Sequence, residues 1–72
     1  MERVPIDNSS RVVSAGYDPE ERQMEVEYRS GGVYVYDNVD QDVYDGLIEA
    51  SSAGAYIDSV IKGGGYIFRR VV

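Results

Sequence analysis

From Gln23 to Arg29 the chain alternates without a break, with Met24, Val26 and Tyr28 set against Glu25, Glu27 and Arg29. An apolar residue at every second position marks a strand with one face on a core and the other in water. Before it, Ser10 to Tyr17 is rich in β-formers, among them Val12 and Val13, and runs into Asp18-Pro19-Glu20-Glu21. Aspartate followed by proline at the second position signals a type I turn, so a first strand ends there. After the alternating stretch, Ser30-Gly31-Gly32 turns the chain into Val33-Tyr34-Val35-Tyr36, a third strand. Three successive strands with tight turns predict an antiparallel meander.

Two registers are open for the second hairpin. A loop of Gly31-Gly32 alone sets Tyr28 opposite Val35 and leaves Tyr34 and Tyr36 on the charged face. A loop of Ser30-Gly31-Gly32 sets Tyr28 opposite Tyr34 and carries both tyrosines inward with Met24 and Val26. A slip of one residue decides whether Tyr34 and Tyr36 form a binding platform or packing.

After Tyr36 the period changes. Val43, Tyr44, Leu47 and Ile48 recur at helical spacing, Asp40 is placed to cap through its carboxylate, and Asp42 lies in the first turn. Ser51-Ser52-Ala53-Gly54 breaks this helix, and Tyr56, Ile57, Val60 and Ile61 repeat the stripe in a second. Gly63-Gly64-Gly65 ends it, because glycine takes the left-handed conformation at a helix end without strain. Tyr66 to Val71 alternates again as a fourth strand. The pattern predicts one α+β domain over residues 1–72, of order βββααβ, with both helices on one sheet face. Residues 1–8 are expected to be a loosely ordered segment.

Composition narrows the function more than the fold. A 72-residue chain without cysteine has neither disulfides nor a thiolate zinc site to support its core. At this size it buries only ~60% of its unfolded surface, so docking or self-association would add useful stability. The absence of histidine and cysteine removes the usual neutral-pH base and the usual thiolate nucleophile, and no enzymatic activity is expected. Asp40-x-Asp42 begins like a calcium loop, but Tyr44 occupies the next ligand position, so neither a metal nor a cofactor is expected. Gly63-Gly64-Gly65 follows a helix, the reverse of the order that aims backbone N–H groups at phosphates. No apolar run approaches the ~20 residues of a membrane span, and the start carries no hydrophobic leader, so a cytoplasmic location is expected.

The net charge of −6 is unevenly laid out. Asp37, Asp40, Asp42, Asp45, Glu49 and Asp58 fall in a segment without a base, whereas Lys62, Arg69 and Arg70 follow it without an acidic side chain.

Several short motifs come in a fixed order: Ser9-Ser10-x-Val12, Gly16-Tyr17-Asp18, Met24-x-Val26-x-Tyr28, Gly31-Gly32-Val33-Tyr34-x-Tyr36 and Asn38-Val39. Val43-Tyr44-x-x-Leu47, Ala50-x-Ser52-x-Gly54-x-Tyr56, Ile61-Lys62 and Tyr66 continue it. The ordered set, from about Ser9 to Arg70, resembles the KTSC domain, found at the carboxyl end of some lysyl-tRNA synthetases and as a stand-alone small protein. The resemblance implies an accessory role without established function, for which domain context suggests RNA. Its tyrosine-x-tyrosine, matched by Tyr34 and Tyr36, favours the register that turns both inward.

The expected function is thus a non-enzymatic binding module, with RNA as a weak ligand of a basic, tyrosine-containing face. Tyrosines stack on single-stranded bases and cations meet phosphates, which makes Tyr34, Tyr36, Lys62, Tyr66, Arg69 and Arg70 the candidate binding residues. The alternative is a protein partner or self-association, through a sheet edge and the acidic helical face.

Overall fold

A computed structural model describes residues 2–7 and 9–72. Five strands, β1 (Arg3–Pro5), β2 (Val12–Asp18), β3 (Gln23–Tyr28), β4 (Gly32–Tyr36) and β5 (Phe68–Arg70), form one antiparallel sheet in chain order. Helix α1 (Gln41–Glu49) and helix α2 (Ala53–Tyr56), which runs on into a π-helical segment (Ile57–Lys62), lie between β4 and β5 in sequence. The α+β class and the meander with its carboxyl-terminal strand are as the pattern predicts.

β1 is an addition. It falls within the segment expected to be loosely ordered, whose residues 1 and 8 lie outside the described ones. All three of its residues are exposed, so it carries no burial pattern to read. Its pairing relies on Gly16, where a side chain would stand 2.5 Å from the Glu2 carbonyl oxygen. β2 contains a bulge at Val13, after which Ala15 and Tyr17 share a face with Val26 and Met24.

The β3–β4 hairpin adopts neither anticipated register. Tyr28 pairs with Gly32, Val26 with Tyr34 and Met24 with Tyr36, so the loop is Arg29-Ser30-Gly31. The Gly31 N–H donates to the Tyr28 carbonyl at 3.0 Å, and Gly31 sits at φ +94°, the left-handed residue of a three-residue hairpin loop. Glycine is needed at the third loop position, and the run of two glycines hid which one takes it. The parity is that of the inward register: Tyr34 and Tyr36 share the face of Met24, Val26 and Tyr28.

On this face Val12, Ala15, Met24, Val26 and Tyr36 form the core with Val39 and with Leu47, Ala53, Ile57 and Ile61 of the helices. Both helices therefore cover the same side of the sheet. Two local expectations need correction. Ile48 is exposed, because the core-facing stripe of α1 is narrowed to Val43, Tyr44 and Leu47. Asp40 occupies the N-cap position without a side-chain cap bond, since its carboxylate is taken by Arg22. Ser52 does cap α2, accepting from the Ala55 N–H at 3.3 Å.

Candidate functional site

The residues that matter gather where the loop end of the β3–β4 hairpin meets the end of the second helix. Tyr28, Tyr34 and Tyr36 rise from the sheet, Phe68 follows on β5, and Ile61, Lys62 and Tyr66 face them across a cleft of about 480 Å³. Gly64 lets this wall form: a side chain there would stand 2.7 Å from the Tyr66 ring. Gly65, at φ +71°, then swings the chain back toward β5.

The rings are ordered among themselves. Tyr28 and Tyr34 meet edge to face at 5.5 Å between centroids, and Phe68 lies 5.9 Å from Tyr34 and 5.6 Å from Tyr36. The Tyr28 and Tyr36 hydroxyls share a hydrogen bond of 2.7 Å. Burial pushes the Tyr28 phenol well above the ordinary tyrosine value, and its bond to Tyr36 adds to the shift. Burial also raises Tyr36, against the opposing effect of the Tyr28 hydroxyl. Both phenols are protonated at neutral pH and act as hydrogen-bonding groups, not as bases.

A second cleft of about 450 Å³ adjoins the first and shares Tyr28, Ser30 and Lys62 with it. Arg11, Arg29 and Asp58 give it a different chemistry. The Ser9 hydroxyl accepts from the backbone N–H groups of Arg11 and Val12 at 3.1 and 3.0 Å, which fixes the entry to β2. Arg29 donates to the Ser9 carbonyl at 3.3 Å. The Arg11 guanidinium crosses Gly54, where a side chain would stand 2.6 Å from Nε, and reaches Asp58 at 2.9 Å. Lys62 approaches the same carboxylate at 3.6 Å. The bond from Arg11, then its charge and that of Lys62, hold the Asp58 carboxyl below the usual carboxylate range.

The six residues expected from sequence are thus divided. Tyr34, Lys62 and Tyr66 line the first cleft, and Tyr36 reaches it while being only 4% exposed and part of the core. Arg70 shares the face of Tyr34, but its guanidinium braces the hairpin, donating to the Gly31 and Val72 carbonyls at 3.2 and 2.7 Å. Arg69 points to the opposite sheet face beside Val35 and pairs with Asp37 at 3.3 Å. Period-two alternation along β5 makes that separation unavoidable, so the basic carboxyl-terminal face does not exist as one surface. Tyr28, Phe68, Arg11 and Ser9 were missed as site residues. Phe68 was legible because it alternates in phase with Tyr66, and Tyr28 because the inward register sets it on the face of Tyr34 and Tyr36. Arg11 was not, because it meets Asp58 from 47 positions away. Among the described residues no group of three acidic side chains could hold a metal ion, and no helix is long and apolar enough to cross a membrane.

A meander sheet, two helices on one face and an aromatic cleft at the hairpin end define a small α+β domain with a built groove. The KTSC domain model matches residues 8–66, and the chain belongs to that family. It is similar, at 37% identity and a TM-score of 0.92 over 99% of this chain and 97% of the other, to the crystal structure of a KTSC domain protein from Yersinia pestis. An uncharacterised protein of Stutzerimonas stutzeri is 41% identical over 99% of both chains. A protein of Tsukamurella paurometabola is 35% identical over 75% of this chain and 81% of its own.

Proposed function

We propose that this KTSC domain is a non-enzymatic binding module that takes single-stranded RNA into the groove between the β3–β4 hairpin and the second helix. The observation that carries the reading is the aromatic cleft with Lys62 on the rim it shares with Arg11 and Arg29. Half-buried Tyr34 and Tyr66 and the exposed Phe68 offer ring surface to an unstacked base, at about 1–3 kcal/mol per stacked base. The cleft volume suits one or two bases and falls in the usual range for small-ligand sites. Three cations beside it imply a salt slope of about −2, at ~0.7 per phosphate contact. The net charge of −6 opposes approach at low salt, so binding is weak.

The test is anisotropy of a labelled decanucleotide of single-stranded RNA, repeated across salt. Tyr34→Leu and Tyr66→Leu should each weaken binding 5-fold or more, with folding checked by circular dichroism. Arg69→Gln, on the far sheet face, should leave binding unchanged. No binding at millimolar protein, or equal binding by all three variants, would overturn the reading.

A second reading, association with a protein, has one observation in its favour. Ile67, Phe68, Val71 and Val72 are all exposed along the β5 edge of the sheet. Sedimentation checks it: a species that stays monomeric at every concentration excludes self-association.

A further inference from the structure

The second cleft holds Arg11, Arg29 and Lys62 around a single carboxylate, a local excess of positive charge in an acidic chain. Asp58 lies on the rim, about half exposed, and takes up both Arg11 and Lys62. The partners are held in place from below. Gly54 leaves room for the Arg11 guanidinium, the Ser9 hydroxyl fixes the backbone of Arg11, and the Ser9 carbonyl anchors Arg29.

We propose that this cleft is a phosphate subsite, in which the Asp58 carboxylate stands where a ligand phosphate binds and is displaced by it. A guanidinium fork donates to carboxylate and phosphate oxygens in the same geometry, so one can replace the other without rebuilding the site. The exchange is affordable because an exposed ion pair contributes only ~0–1 kcal/mol. A phosphodiester carries one charge, as the carboxylate does, and adds the reach to Arg29 that Asp58 leaves unused. Shared walls at Tyr28, Ser30 and Lys62 set this anion position directly beside the aromatic cleft. Asp58 thereby acts as an internal competitor that keeps affinity low. The identity of the ligand as RNA rests on the function proposed above; the anion subsite does not.

The experiment compares wild type, Asp58→Asn and Asp45→Asn by amide-shift titration, with inorganic pyrophosphate in one arm and the RNA decanucleotide in the other. Asp45→Asn makes the same change in net charge on the exposed side of α1. Asp58→Asn should bind pyrophosphate at least 3-fold more tightly than either other protein, with shifts centred on Arg11, Arg29 and Lys62. Adding Arg11→Gln to it should abolish the gain. Pyrophosphate affinity of Asp58→Asn no greater than that of Asp45→Asn would overturn the subsite. The arms separate the two ideas. RNA binding in the aromatic cleft with no gain from Asp58→Asn leaves the RNA reading and removes the subsite. A pyrophosphate gain without any RNA binding does the reverse.

Discussion

Gly54 shows how one missing side chain can shape the electrostatics of a groove. An added methyl would meet Nε and a terminal nitrogen of Arg11 at 2.6 and 2.7 Å, yet the far end of an arginine can move aside. The gain in helix propensity, up to ~1 kcal/mol for glycine to alanine, offsets part of the strain. Gly54→Ala should therefore change stability by less than ~1 kcal/mol while moving the Arg11 guanidinium off Asp58. The Asp58 carboxyl should then titrate at higher pH than in wild type, readable from its carbon shift. An unchanged titration would mean that Gly54 does not position Arg11. None of this was legible in the sequence, where Gly54 reads as part of a helix break and Arg11 carries no reading.

At the scale of elements, β3 was legible from its alternation, and β2 and β4 from β-formers bounded by turn residues. The alternation from Tyr66 to Val71, by contrast, is strand only over Phe68–Arg70. β1 was not legible, because three exposed residues ending in proline carry no period. The π-helical segment also escaped detection: Ile57 and Ile61 are buried four residues apart, a spacing that ordinary helix shares. Hairpin parity was recoverable while the loop was not, since alternation fixes faces and glycine choice fixes the turn. α1 depends on few core contacts, with Leu47 its one fully buried residue. Leu47→Ala should cost about 2–5 kcal/mol, a large share of what so small a domain holds. Urea denaturation measures it; a loss below ~1 kcal/mol would show that α1 contributes little to the core.

For the whole molecule, the seven tyrosines replace the tryptophan that is absent and most of the phenylalanine. Burial raises the phenols of Tyr28, Tyr36, Tyr44 and Tyr56 above their ordinary 10.0. Tyr44 and Tyr56 also hydrogen-bond through their hydroxyls to the Ala15 and Val43 carbonyls. The unfolded chain loses these protons first, so stability is fully present below pH 10.0 and falls as pH rises beyond it. With one lysine in the chain, other titrations contribute little there. Urea midpoints should drop between pH 9.5 and pH 11.5, about half a unit below and 1.5 units above the ordinary tyrosine pKa. An unchanged midpoint would contradict tyrosine burial as a major source of stability.

The groove and its ligand class are the central claim, and amide-shift mapping with single-stranded RNA tests them most directly. The account predicts shifts confined to the cleft walls, namely the β3–β4 loop with Tyr34, the segment from Asp58 to Phe68 and the entry to β2 around Arg11, weakening as salt rises. Shifts centred instead on β1 or on the Arg69 face of the sheet, or no shifts at millimolar RNA, would contradict it.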